Sequence, residues 1–393
     1  MKLNVPPTTR WYREPSNLIL FNTACLTKNN PLIVLSDRGA RLWEQIIAGW
    51  SVDEIREEFK KELQNDSALR FIQRLCDLGL LVTDSIVKME SGENAIADFK
   101  EIPAPQFQFS LTQAIIPWYC IWEICSVCDL SCRGCYVKNK TKKKPSMDHS
   151  MAIARSLVSA GIFYISIVGG EPLLFQGLSN IIRWLRERNV FVKIITNGQA
   201  LNSEWAFELK DAGLNQLEVS FDGCSFAFHD LSRGKGTFKK ASRAIQIAIK
   251  SEIPRVGISL TVHSESFKDL MQLPIFMQEL NVRECYISLY KEANFRINGV
   301  HFLSPTAEQV AQLHALISLW KENFPQLEIC LLPTCTCGRT SVVVAENGDI
   351  RVCPFSTKTY GNILENPLLD IWHSIGDMLP KAGPFGFCAN EIS

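Results

Sequence analysis

The stretch "WYCIWEICSVCDLSCRGCYV" (118–137) starts as an apolar β-type run and ends in a polar loop. Cys125, Cys128, Cys132 and Cys135 fall within it. Disulfides, a zinc site and an iron–sulfur cluster all use such thiols, and each predicts a different protein. The N-terminus "MKLNVPPTTRWYREPS" has no apolar signal-peptide core, and no run approaches the ~18 apolar residues of a membrane span. A cytoplasmic location is therefore expected, where 14 cysteines point away from disulfides. Structural zinc takes four ligands, commonly in Cys-x2-Cys pairs. Here the spacing is Cys128-x3-Cys132-x2-Cys135, and parity keeps Cys125 in the strand. An iron–sulfur cubane normally takes four thiolates. Three leave one iron open to a small chelating ligand.

Working outward from this loop, strands and helices alternate. Apolar strands are expected at 118–125, 164–170, 190–196, 216–222, 255–262 and 284–290, with helical stretches between them such as "MAIARSLVSAG" and "KKASRAIQIAIKS". Six βα units imply a parallel sheet with right-handed crossovers, too short for a closed eight-stranded barrel. The expectation is an α/β fold, a partial (β/α)6 TIM-like barrel with its chemistry at the carboxyl ends of the strands. Without further information, the residues give an open metal site on such a scaffold.

Context sharpens this. "GGEP" (169–172), "TNG" (196–198) and "SFDG" (220–223) end successive strands, and "HDLSRGKGTF" (229–238) follows. With Cys-x3-Cys-x2-Cys and the aromatic Tyr136, this constellation resembles the radical SAM superfamily over about 175 residues, and its peptide-modifying branch in particular. The resemblance implies a [4Fe-4S] cluster on Cys128, Cys132 and Cys135, with S-adenosylmethionine (SAM) on its open iron. It also implies that Gly169, Gly170 and Glu171 meet the SAM amino group, that Asn197, Ser220 and Arg233 meet its ribose or carboxylate, and that Tyr136 flanks the adenine. His229 and Asp230 read as helix or loop residues. The basic run at 138–144 reads as a solvated loop near the cluster.

Upstream, "LILFNT" and "PLIVLS" read as strands. A helix with Ala40, Leu42, Trp43, Ile46 and Ile47 on its apolar face follows. Ser51 and Glu54 form a capping box for a second helix. "ALRFIQRLCDLG" makes a third helix, burying Leu69, Ile72, Leu75 and Cys76 and stopping at Gly79, and "LLVTD" a strand. Residues 1–85 thus read as a winged-helix-like module. They resemble the peptide-recognition element of ribosomal-peptide maturases, in which a leader peptide adds a strand to a sheet edge. Balanced charge, 41 basic against 41 acidic residues, argues against nucleic acid as a partner. Residues 86–116 read as a linker, 117–300 as the barrel and 301–393 as a tail.

In the tail, "TSVVVAENGDIRVC" (340–353) reads as a β-hairpin turning at Asn347-Gly348. Cys335-x12-Gly348-x4-Cys353 and "GNILENPLLDIWHS" resemble a SPASM auxiliary-cluster domain, shortened and twitch-like because Cys388 is the last cysteine. The resemblance implies one auxiliary [4Fe-4S] cluster on Cys335, Cys337 and Cys353. Cys25, Cys76, Cys120 and Cys330 read as core.

Together these imply an enzyme that modifies a ribosomal precursor peptide bound through its leader, with flavodoxin or ferredoxin as reductant. The favoured reaction is L-to-D epimerisation, by Cα hydrogen abstraction and return of hydrogen from a thiol, with Cys388 first and Cys224 second as donor. The layout resembles that of proteusin-type epimerases. Thioether or carbon–carbon crosslinking and residue excision are rivals. A non-catalytic iron–sulfur peptide-binding protein is the alternative of another class.

Overall fold

The computed structural model describes residues 3–5, 9–13, 18–22, 32–35, 37–59, 67–77, 80–83, 99–102, 117–137, 142–290, 302–332 and 338–378. The chain forms two compact units, Met1–Phe107 and Gln108–Ser393.

The first unit holds strands β1 (Leu3–Asn4), β2 (Thr9–Arg13), β3 (Leu18–Asn22) and β4 (Leu32–Leu35). Helices α1 (Asp37–Ile47), α2 (Val52–Phe59) and α3 (Ser67–Asp77) follow, then β5 (Val82–Thr83) and β6 (Phe99–Ile102). β2-β3-β4-β6 form an antiparallel sheet in that order, and β1 pairs with β5. Alternate residues Leu18 and Leu20 of β3, and Ile33 and Leu35 of β4, are buried in one cluster with Ala40, Trp43 and Ile46 of α1. Ser51 caps α2 as its spacing predicts: its amide donates to Glu54 Oε2 at 2.7 Å, while the Glu54 amide donates to Ser51 Oγ at 3.4 Å. Three details differ from expectation. Ile47 faces outward, since the apolar stripe of α1 ends at Ile46. Cys76 is half-buried rather than core. Residues 99–102, read as part of a linker, pair with β4 instead, while the rest of that segment before residue 117 lies outside the described residues, as do Cys25 and Gly79.

The second unit begins with β7 (Tyr119–Cys125), α4 (Met147–Ser159), β8 (Tyr164–Gly169), α5 (Leu178–Arg186), β9 (Phe191–Thr196) and α6 (Ser203–Asp211). It continues with β10 (Gln216–Phe221), α7 (Phe226–Arg233), α8 (Thr237–Lys250), β11 (Val256–Val262), α9 (Leu273–Glu279) and β12 (Glu284–Leu289). The last elements are α10 (Ala307–Asn323), β13 (Glu328–Leu331), β14 (Ser341–Val344), β15 (Ile350–Arg351) and α11 (Leu368–Met378). One nine-stranded sheet runs β13-β12-β11-β10-β9-β8-β7-β14-β15, parallel throughout except for β15. The six expected strands are all present. The hairpin is present too, but it does not stand apart: β14 pairs in parallel with β7, Ser341 opposite Tyr119. The buried Arg351 of β15 is ion-paired with Glu123 of β7. The sequence of the tail carries no sign of this docking.

The sheet curls. Tyr164 on β8 lies within electrostatic reach of Arg255 and Glu284, at the starts of β11 and β12. Side chains alternate along each strand, so one row of each faces the concavity. At the amino end these rows form a buried floor. Lys193 bonds Glu218 at 3.0 Å, Arg255 bonds Glu284 at 2.8 Å, and Arg255 also donates to the Tyr286 hydroxyl at 2.7 Å. Burial opposes the charge on Lys193, but Glu218 outweighs it and holds the amine above its ordinary range. No helix among the described residues is long and apolar enough to cross a membrane.

Candidate active site

The carboxyl ends of these strands carry the cysteine loop. Cys125 ends β7, and its buried thiol donates to the carbonyls of Glu171 (3.4 Å) and Val127 (3.7 Å), so it belongs to the strand as its parity implies. Cys128, Cys132 and Cys135 follow on the loop, each partly exposed. Burial pushes the Cys128 thiol up to about 12 and the Cys132 thiol up to about 11. Proton release must therefore accompany metal loading. Among the described residues no three His, Cys, Asp or Glu side chains are gathered to hold a metal ion.

The strand ends brace this loop. Gly170 and Glu171 spend their amides on it, donating to Cys125 O at 2.7 Å and Val127 O at 2.8 Å. A Cβ on Gly169 would stand 2.3 Å from Cys125 O, and one on Gly170 2.2 Å from Val127 O. The two glycines thus let the second strand's end lie directly on the cysteine loop. The Glu171 carboxylate is turned inward and fully buried. It accepts from Thr196 Oγ1 at 2.6 Å, the Asn197 amide at 2.8 Å and the Leu173 amide at 3.0 Å. Burial raises it to about 7 against the pull of those donors. Its side chain is a strut between β8 and β9.

Asn197 reaches the loop from β9, donating to Asp129 Oδ1 at 2.7 Å and to Cys128 Sγ at 3.7 Å. Ser220 occupies the inward row of β10, in register with Ser259. Arg233, at the end of α7, pairs with buried Asp222 at 2.7 Å, and Ser232 donates to the same carboxylate at 2.6 Å. Burial disfavours the Asp222 charge, yet Arg233 and Ser232 outweigh it and hold the carboxyl below its ordinary range. The field of Arg233 also reaches Cys132. Tyr136 meets Phe355 edge-on at 5.4 Å and lies near Cys353, so it sits between the cysteine loop and the tail.

Cys224 is buried beyond β10, and burial pushes its thiol well up. It couples electrostatically to Cys285. Cys285 lies on the opposite face of β12 from Tyr286, Ser288 and Tyr290, whose row faces the concavity. Cys353 is buried just beyond the hairpin. Cys335, Cys337 and Cys388 lie outside the described residues. His229 packs among Phe221 and Phe238, and Asp230 accepts from the amides of Gly236 and Phe238, so both are structural.

Sequence reasoning missed Asp222, although "SFDG" contains it; the alternation that places Ser220 inward also places Asp222 inward. It missed His263 too. This imidazole is 2% exposed at the end of β11, stacked on Tyr290 at 4.3 Å and packed against Phe302. Its Nδ1 has no hydrogen-bond partner among the described residues. A Cβ on Gly134, between two of the loop cysteines, would lie 3.6 Å from its ring.

Residues 122–273 match the model of the radical SAM superfamily, and 335–377 match SPASM, an iron–sulfur cluster-binding domain. The mycofactocin maturase MftC of Mycolicibacterium smegmatis is 25% identical over 284 residues, 67% of this chain and 72% of its own. The Fe-coproporphyrin III synthase of Methanosarcina barkeri is 29% identical over 197 residues, 49% of this chain and 48% of its own, so the match spans about half of that relative. Among solved structures, Streptococcus suis SuiB bound to its precursor peptide SuiA superposes with a TM-score of 0.68 at 16% identity, covering 95% of this chain and 88% of SuiB. The fold is shared across that length.

The chain thus carries a radical SAM domain and a SPASM segment, and with them a [4Fe-4S] cluster, SAM and an auxiliary cluster. The residues present fit the first two. Three thiols share one loop over the barrel mouth. The loop is pinned by glycine contacts that a side chain would break, and Arg233 and the Asn197 amide point toward it.

Proposed function

We propose that the chain matures a ribosomally made precursor peptide, and that the change is L-to-D epimerisation at Cα. The observation that carries the first part is the cysteine loop, seated over a polar barrel mouth by Gly170, Glu171 and Asn197. When bound, the cluster and SAM supply a carbon-centred radical that removes a hydrogen atom from the substrate. The chain's own residues position and exclude. The Asp222–Arg233 pair presents a fixed cation beside Cys132, and the aromatic group of His263, Tyr290 and Phe302 walls the mouth against water.

A peptide substrate is supported by two features. The first unit ends its sheet order on β2 and β6, so an extended leader has an edge strand to pair with. The relatives named above include a mycofactocin maturase, and the superposed SuiB was solved bound to a precursor peptide. In this reading residues 1–85 are a winged-helix-like leader-recognition element, and tethering raises the local concentration of the peptide's core segment. In this reading Arg233 meets the SAM carboxylate, Ser220 its ribose, and Tyr136 the adenine.

Epimerisation needs no further oxidant: one hydrogen leaves Cα, one returns to the opposite face from a thiol, and the thiyl radical left behind takes up one electron, from the reductant that serves the clusters, and one proton. Cys388 is the proposed donor, with Cys224 second. Crosslinking and excision each discard an electron, a task for which related enzymes often carry more auxiliary clusters. Co-expression with the precursor peptide in deuterated water tests this. A gain of one mass unit per altered residue is expected. A loss of two would mean a crosslink, and an unaltered peptide with intact SAM would mean a binding protein.

A further inference from the structure

The chain is neutral overall, yet residues 138–144 carry five lysines and no acid. Three of these, Lys142, Lys143 and Lys144, line an open groove of about 510 Å³ together with Ser146, His149 and Glu346. All three are exposed, and none makes an ion pair with a described residue. The groove's position is more informative than its charge. Lys143 is stitched by its backbone to Ser126, two residues before Cys128: its amide donates to Ser126 Oγ at 2.8 Å, and its carbonyl accepts from the Ser126 amide at 3.1 Å. The far wall is the hairpin turn: Ser126 Oγ donates to Glu346 Oε1 at 3.3 Å, and His149 Nε2 meets Glu346 O at 3.1 Å. The groove therefore straddles the junction between the cysteine loop and the hairpin that leads to Cys353. The Lys144 charge reaches Cys125 at the base of the loop.

We propose that this lysine groove is the docking surface for a small acidic one-electron carrier protein. The inference rests on reading residues 128–135 as the cluster loop. A cluster that starts radical chemistry takes one electron per event from outside, and the carrier that gives it up is oxidised by one electron. Transfer is fastest where the carrier's cofactor comes nearest the cluster. The barrel mouth is reserved for substrate and SAM, so the electron must enter from the flank. The groove is that flank: it is polar, bonded to the loop's first residues and open to solvent. Its unpaired cations complement an acidic surface and steer its approach, a long-range attraction that salt screens. Seating on lysines rather than on an apolar patch suits a partner that must leave after each transfer.

The test uses reconstituted holoenzyme and flavodoxin as the acidic carrier. Binding is measured by biolayer interferometry at several salt concentrations, for the wild type and for the triple variant Lys142→Glu, Lys143→Glu, Lys144→Glu. We expect the variant to bind about 10- to 100-fold more weakly at low salt and to lose most of the salt dependence. Its cluster absorption should be bleached slowly by reduced flavodoxin but normally by dithionite, with dithionite-driven SAM cleavage intact. Equal affinity and equal bleaching rates in the two proteins would overturn the proposal. So would a variant that binds flavodoxin normally but loses the precursor peptide, which would assign the groove to substrate. A wild type that carries a cluster but does not cleave SAM with dithionite would instead overturn the functional reading beneath it.

Discussion

The two ends of the barrel interior are both polar and both buried, yet they are built to opposite ends. At the floor, Lys193, Glu218, Arg255, Glu284 and Tyr286 satisfy one another, and none leaves a buried polar atom without a partner among the described residues. At the mouth, His263 keeps Nδ1 and Arg233 keeps Nε without a hydrogen-bond partner among the described residues. Buried polar groups are almost always paired, and each exception asks for a reason. A network closed on itself is structure. At the mouth, Arg233 lies beside Cys132 and His263 against Gly134 of the cysteine loop. The comparison thus sets a self-contained polar floor apart from polar groups that border the loop, which composition alone cannot do.

The contrast is broken or sharpened by substitution. The largest effect is expected at the mouth: Cys132→Ala should remove about four irons per chain and abolish SAM cleavage, as read by iron analysis and deoxyadenosine release. At the floor, Lys193→Met leaves Glu218 buried and unpaired and should cost about 3–5 kcal/mol in denaturant unfolding, with the cluster's spectrum unchanged in the folded fraction. Asp222→Asn should weaken SAM affinity about tenfold or more by calorimetry, because it removes the charge that orients Arg233 beside Cys132. Gly170→Ala forces a methyl group toward Val127 O and should cost about 1–3 kcal/mol and loosen cluster retention.

The most gradual effect is a slope. Glu171 is raised to about 7 from 4.5, so the folded state holds its proton more tightly than the unfolded chain. Its contribution to stability is full below pH 4.5 and is lost as pH rises through 7, about 3 kcal/mol across the window. Unfolding of the apoprotein between pH 5 and 8 should show this slope, and Glu171→Gln should remove it.

Much of the second unit was legible in the sequence. Each of the six core strands begins and ends within one residue of its expected run, because the row of each strand that packs on the helices is apolar while the other row lines the concavity. The Asn347-Gly348 turn and the Ser51–Glu54 cap were legible because they are local chemistry. What escaped was non-local. The docking of β14 onto β7 depends on a buried Arg351–Glu123 pair between positions far apart in the chain. The contact reason for Gly169 and Gly170 depends on backbone atoms of another loop. That the Glu171 carboxylate is held by Thr196 and Asn197 depends on the neighbouring strand end, which no local motif reveals. His263 sits in no motif, and only the curl of the sheet brings it against Gly134.

The most direct test of the central claim is the fate of SAM. Anaerobically reconstituted chain, given dithionite and its precursor peptide, should release methionine and deoxyadenosine, and no release should occur when Cys128, Cys132 and Cys135 are all replaced by alanine. A chain that binds zinc at those three thiols and leaves SAM whole would contradict it.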